Sequence, residues 1–375
     1  MSEQSLDPQR REQARKYTRQ MRRLLLLELA LGAIFLLTVL LSGLSSGLRD
    51  LLEFPQSARV VLYFLILMIS YSIISAPLSF YRSFALPHRY GLSHQSWSSW
   101  LADEAKEVIL GLALGTGLVV VIYLFLQAFP GTWWLLAFAF VTLVTVIMTR
   151  LAPVMILPLF FKLEPLADPE LRQRLLSLAE RCQTKVKDVF QINFGSKTST
   201  GNAMLMGWGN TRRIAISDTL LQRYTPEEIE VIMAHELGHQ RHGDIAKAIV
   251  TQSALMLLGF YLINLTLNWA VPILDFDGIS DVAALPLLAL VLAAFAIVLA
   301  PLTNAYSRRL EEAADNYAVV TTDNPEAFAT MLTKLTDQNL TEPEPSRLVE
   351  LMFYDHPPYY KRVELARRYR NEEKR

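Results

Sequence analysis

His235-Glu236-Leu237-Gly238-His239 sets two imidazoles four residues apart with a carboxylate beside the first. On a helix, positions i and i+4 share a face, so both rings can reach one ion. This arrangement suits a zinc-dependent hydrolase, with the rings holding the metal and Glu236 taking a proton from the attacking water. Zinc lowers the pKa of water that it binds towards about 7, which makes the nucleophile available at neutral pH. The competing explanation, two core histidines on an apolar helix, is the weaker one.

A catalytic zinc takes three protein ligands and keeps a fourth position open. The extended motif with a third histidine fails here, because position 242 is His and position 245 is Ile. His242, three residues past His239, is expected to point away from the metal. The third ligand is sought in the run Ser307 to Asp315, SRRLEEAAD. Glu311 and Asp315 are four apart and share a helix face. Glu311 is expected to ligate, with Glu312 as the fallback. Asp315 is expected to accept the free N–H of a ligating histidine, His235, and so fix its tautomer. The small Ala313 and Ala314 would let this helix pack closely on the His235 helix. An ordinary charged face with Arg308 paired to Glu312 is the alternative.

The elements that must position these groups are largely apolar. The 375-residue chain is 52% hydrophobic and 19% charged, against about 25% charged for soluble domains. Lys+Arg and Asp+Glu balance at 36 each, which gives no sign of a nucleic-acid partner. One cysteine, Cys182, excludes an intrachain disulfide and a Cys-rich zinc site. Six stretches are long and apolar enough to cross a bilayer: about 24–44, 60–80, 107–128, 132–157, 247–269 and 283–303. Arg10, Arg11, Arg15, Lys16, Arg19, Arg22 and Arg23 make the start of the chain basic. The positive-inside rule then puts this tail, and both large polar segments, in the cytoplasm. Trp97, Trp100, Trp133 and Trp134 are expected at the membrane–water interfaces, and 83–105 is expected to lie along the surface or cap a cavity.

The chain thus divides into a basic tail (1–23), four transmembrane helices (24–157), an α+β catalytic segment (158–246), two more transmembrane helices (247–303) and a C-terminal catalytic segment (304–375). The overall class is mostly α integral membrane, with six transmembrane helices and a cytoplasmic α+β catalytic domain. Within 158–246, Asp168-Pro169-Glu170 opens a helix, and 186–193 and 212–217 read as short strands. Thr225-Pro226-Glu227-Glu228 is a capping box that starts the helix running into His235.

HELGH, followed beyond two further spans by SRRLEEAAD, resembles the integral-membrane CAAX prenyl endopeptidases and their bacterial relatives. Leu151 to Phe160, Asn202-Ala203, Arg213 to Leu221, and His356-Pro357-Pro358 with Arg362 are similar to further motifs of that family. The resemblance runs from roughly residue 60 to the C-terminus. It implies one zinc per chain in an inward-facing chamber, a substrate strand pairing beside Asn202-Ala203, and oxyanion stabilisation by His356 and Arg362. It also implies a peptide or membrane-protein substrate, prenylated in eukaryotic members, and a bacterial inner-membrane location with a cytoplasmic site. Eukaryotic members have seven spans; this chain shows six, the first being absent. Two other functions compete. A heat-shock-type quality-control protease would share the chemistry. A catalytically silent zinc-stabilised scaffold would need a fourth protein ligand.

Overall fold

The computed structural model describes residues 6–207 and 209–373. Six of its helices are long and apolar enough to cross a membrane. The first, α1 (Pro8–Leu41), is capped by Asp7, whose side chain accepts the Gln9 N–H. The second runs from α2 (Gln56–Phe80) to Arg89, the third is α3 (Trp97–Ala128), and the fourth runs from α4 (Trp133–Leu151) to Phe160. The second and fourth pass through single π-helical turns, Tyr81–Ala85 and Ala152–Ile156. Proline lacks an N–H to donate; Pro77 lies four residues before the first turn begins and Pro153 lies inside the second, where widening absorbs the break.

In the chain between the fourth and fifth spans comes a small sheet with a helix on it. The strands are β1 (Leu163–Pro165), β2 (Asp188–Ile192), β3 (Ala203–Met206) and β4 (Arg213–Ser217). Their spatial order is β1-β2-β4-β3, with β2 and β4 parallel and the other pairs antiparallel, so β3 is an edge. Helix α5 (Pro169–Arg181) begins at Asp168, whose carboxylate accepts the Glu170 and Leu171 N–H groups. Its Leu175 and Leu178 are fully buried with Ile214 and Ile216 of β4 and Leu237 of α6 (Pro226–His242). Cys182 is buried in the same core.

Helix α6 opens with both halves of the Thr225–Glu228 capping box formed. It ends at Gly243, whose φ of 68° is the left-handed conformation that glycine adopts without strain. The chain turns there directly into α7 (Asp244–Ala270), the fifth span. The sixth span belongs to α8 (Leu285–Thr322), 38 residues long. At 1.5 Å per residue this is about 57 Å, nearly twice a hydrocarbon core of roughly 30 Å, so one end of α8 projects well beyond the lipid. The chain closes with α9 (Pro325–Gln338), α10 (Arg347–Phe353) and α11 (Tyr359–Glu373).

Several expectations need adjustment. From Pro8 the basic segment is the opening of α1 rather than a separate tail, and it reaches the C-terminal segment: Arg22 binds Glu342 at 2.7 Å and Arg11 pairs with Glu344. The boundaries at 246 and 303 fall inside α7 and α8. The stretch 83–105 is mostly helix, continuing the second span and opening the third around a turn at 90–96. Trp133 packs inside the protein instead of facing lipid. It is fully buried, with Nε1 donating to Asn264 Oδ1 at 2.8 Å. Arg308 does not pair with Glu312 but donates to the carbonyls of Glu350 and Tyr354 at 3.0 and 2.6 Å.

Candidate metal centre

Helices α6 and α8 cross at close range. A Cβ on Gly238 would lie 3.1 Å from the Tyr317 ring and 3.4 Å from Ala314 Cα. Ala314 is fully buried, whereas its neighbour Ala313 is only half-buried, so Ala314 carries the close approach. This contact brings the Glu311 side of α8 against the two histidines.

His235 Nε2 and His239 Nε2 are 3.2 Å apart. Glu311 Oε2 lies 3.2 Å from His235 Nε2, and Oε1 lies 3.4 Å from His239 Nε2. Three ligands of a tetrahedral zinc, each about 2.1 Å from the ion, stand roughly 3.4 Å from one another. The observed separations match that figure. Glu311 Oε2 is buried and has no aligned hydrogen-bond donor, although two ring nitrogens approach it. Ligand-type atoms that converge at this spacing fit a shared cation. Among the described residues the cluster has these three members.

Each imidazole is backed by a carboxylate. Asp315 Oδ1 lies 2.9 Å from His235 Nδ1, though off the line of a well-directed N–H bond. Asp244 Oδ2 lies 3.0 Å from His239 Nδ1. Asp315 was legible in the sequence; Asp244 was missed, and its only signal was a carboxylate just past the helix-ending Gly243. Burial alone would lower the His235 pKa, but Asp315 and Glu311 override it and push the metal-free ring up to about 9. Burial raises Glu236 above the usual carboxylate range, partly offset by the two histidines. Glu236 lines a cleft of about 320 Å³ with His239, Glu311, and Leu205 and Gly207 from the β3 end.

The remaining expected residues divide. His356 Nε2 is 3.2 Å from Glu311 Oε2, so it adjoins the centre. Arg362 donates from Nε and Nη2 to both Asp315 oxygens, at 2.7 and 2.6 Å. Two of its nitrogens are therefore engaged one layer behind His235. The Asn202 carbonyl accepts the Ser217 N–H, so its backbone faces β4. Strand alternation then turns Ala203 and Leu205 outward on the free edge. His242 lies away from the cluster, its ring edge-on to Tyr317 at 5.6 Å. Glu312 is exposed and outside the cluster.

Residues 165–370 match the model for Peptidase family M48, more than half the chain. The chain belongs to peptidase family M48. Residues 2–162 match the model described as CAAX prenyl protease N-terminal, five membrane helices, although this M48 chain has four of its long apolar helices there. Among its relatives, the Bacillus subtilis protein named "Uncharacterized metalloprotease YhfN" is 29% identical over 90% of this chain and 81% of its own length. An Arabidopsis thaliana CAAX prenyl protease 1 homolog is 28% identical over 78% and 69%. The crystal structure of S. mikatae Ste24p shares the fold, with TM-score 0.84 over 97% of this chain and 90% of that one at 21% identity. This M48 protein is a multi-pass membrane metallopeptidase that acts on peptide bonds.

Proposed function

We propose that the protein is a zinc-dependent endopeptidase of a bacterial inner membrane, with its site on the cytoplasmic face, cleaving membrane-associated peptides or proteins. The observation that carries this reading is the convergence of His235, His239 and Glu311 at tetrahedral spacing beside the cleft lined by Glu236. A zinc ion held there would polarise the substrate carbonyl and acidify water. The rest falls to the chain's own groups. Substrate backbone adds to the free edge of β3 at Ala203 and Leu205, a mode that needs no particular side chain. Glu236 accepts a proton from the attacking water and returns it to the leaving amine. His356 offsets the developing oxyanion charge. Arg362 steadies Asp315 and, through it, His235, and lends its positive charge to the same region.

Sidedness rests on α1. Its basic opening turns touch Glu342 and Glu344, so they share a face with the catalytic elements, and basic segments stay in the cytoplasm. A three-member cluster speaks for an open fourth position and against a purely structural zinc. A quality-control role differs only in substrate. The test is mass spectrometry of products from matched farnesylated and unmodified peptides, with Glu236→Gln as control. Cleavage lost in Glu236→Gln with zinc retained supports the reading; equal cleavage by the variant removes Glu236 as the base. Faster cutting of the farnesylated peptide would establish lipid recognition, and equal rates would remove it.

A further inference from the structure

The chain enters β3 through residues 197–202, a strap bonded along its length. The Lys197 carbonyl accepts the His94 N–H at 2.9 Å, and Thr198 bridges Ser93 in antiparallel pairing. The Ser199 N–H and the Thr198 hydroxyl both donate to the Leu92 carbonyl, at 3.1 and 2.8 Å. The turn at 90–96 is thus one partner of the strap. The end of α9 is another: Gln338 Nε2 donates to the Ser199 carbonyl at 2.7 Å, and Asn339 Oδ1 accepts the Gly201 N–H at 3.1 Å. A Cβ on Gly201 would lie 2.6 Å from Leu220 Cδ2, so the strap has no slack against the catalytic core.

Towards α3 the contact is different. A cavity of about 650 Å³ is lined by Trp100, Glu104 and Leu110 of α3 and by Thr198 and Thr200 of the strap. A void supplies no partner atoms, so packing does not hold the strap to α3 there. The Lys197 side chain makes the connection instead. Its Nζ donates to Asp103 Oδ2 and to the Phe160 carbonyl, each at 2.6 Å, and stands 4.8 Å from the centre of the Phe161 ring. Asp103 is a junction: Oδ2 also accepts from Gln95 Nε2 at 2.6 Å, and Oδ1 accepts from Lys106 Nζ at 3.1 Å. One carboxylate on the third span therefore ties both the turn at 90–96 and the strap to the same helix. The side chains of Lys197 and Asp103 are only 17% and 14% exposed, so solvent ions screen the pair little.

We propose that Lys197 and Asp103 are positioning residues for substrate binding: their ion pair fixes the approach to β3 against the third membrane span, so that an incoming peptide backbone meets a preset edge. The proposal rests on the endopeptidase reading, so its test measures binding apart from turnover. Kinetics are taken on full-length protein in nanodiscs with two unmodified fluorescent peptides of unrelated sequence. The same peptides are titrated against the Glu236→Gln protein for Kd. Lys197→Met should raise KM about tenfold, the order of one lost charge-assisted hydrogen bond, with kcat within about twofold. Asp103 keeps Gln95 and Lys106 in that variant, so no buried charge is stranded. Both peptides should shift by the same factor, because backbone pairing needs no particular side chain. Asp103→Asn should have the same effect, and the double variant should be no worse than either single one, since both remove one interaction. Lys197→Arg keeps the charge and should recover most of the affinity. Should Lys197→Met fail to fold, Asp103→Asn decides the question alone. Unchanged KM, a fall in kcat alone, or singles whose effects add in the double variant overturns the proposal. A wild type that cuts neither peptide, with Kd still weakened by Lys197→Met, keeps the positioning role and refutes the endopeptidase reading. Normal cleavage with unchanged KM in the variants refutes the positioning role alone.

Discussion

Asp244 Oδ2 stands 3.0 Å from His239 Nδ1, reaching back across the Gly243 turn from the first residue of a membrane span. Lys247 holds the other Asp244 oxygen at 2.9 Å. Carboxylates behind metal-binding imidazoles fix the tautomer and raise ligand basicity, and removing one costs about 10–100-fold in metal affinity. Asp244→Ala is therefore expected to weaken zinc binding by that factor while the fold stays intact. Competition with a chelating dye reads it. Unchanged affinity would remove Asp244 from the metal centre.

Metal uptake should depend steeply on pH. In the metal-free protein His235 titrates at about 9, burial being overridden by Asp315 and Glu311, and His239 is also raised despite burial, chiefly by Glu311. The His235 ring is then protonated at neutral pH, and a metal must displace that proton. Affinity is expected to rise with pH up to about 9 and to fall as pH drops. Calorimetry at pH 7.5 in buffers of different ionisation enthalpy should show net proton release. Release near zero would contradict these ring environments.

The Gly238 crossing offers a packing test. A Cβ there meets the Tyr317 ring at 3.1 Å and Ala314 Cα at 3.4 Å. Gly238→Val forces branched bulk into a filled contact, for which overpacking typically costs about 1–3 kcal/mol. It should shorten the thermal half-life in detergent and also lower zinc affinity, because Glu311 rides on the displaced helix. A variant with wild-type half-life and zinc affinity would show that the helices part freely.

Arg362 and Asp315 form a buried pair, with side chains 14% and 1% exposed. Removing one partner of such a pair leaves an uncompensated charge and costs about 3–5 kcal/mol. Arg362→Leu should therefore destabilise strongly. Arg362→Lys keeps the charge but loses the two-pronged contact, so it should fall between Leu and wild type. Equal stability of the Leu and Lys variants would mean that the pair contributes only through shape.

Much of this architecture was legible in the residues. The apolar runs gave six spans, and the Thr225–Glu228 box gave the start of α6. The i, i+4 spacing placed His235 with His239, and Glu311 with Asp315, because helical periodicity is local. What stayed hidden depends on contacts between distant segments. The opening of α1 looked like a polar tail because its charges are answered by Glu342 and Glu344, more than 300 residues later. The burial of Trp133 depends on Asn264 in another span. Arg362 looked free for an oxyanion until Asp315 was seen to occupy two of its nitrogens. The outward turn of Ala203 rather than Asn202 follows from strand register, which no single strand reveals.

The projecting end of α8 separates this enzyme from proteases that can be released from their anchors. Two bilayer crossings, α7 and α8, lie between the histidines and Glu311. No single cut between His239 and Glu311 can free a soluble fragment that keeps all three groups, because each piece retains a membrane rod and only part of the cluster. Shedding by proteolysis would thus destroy the activity rather than liberate it, and the chemistry stays confined to the membrane that hosts the chain.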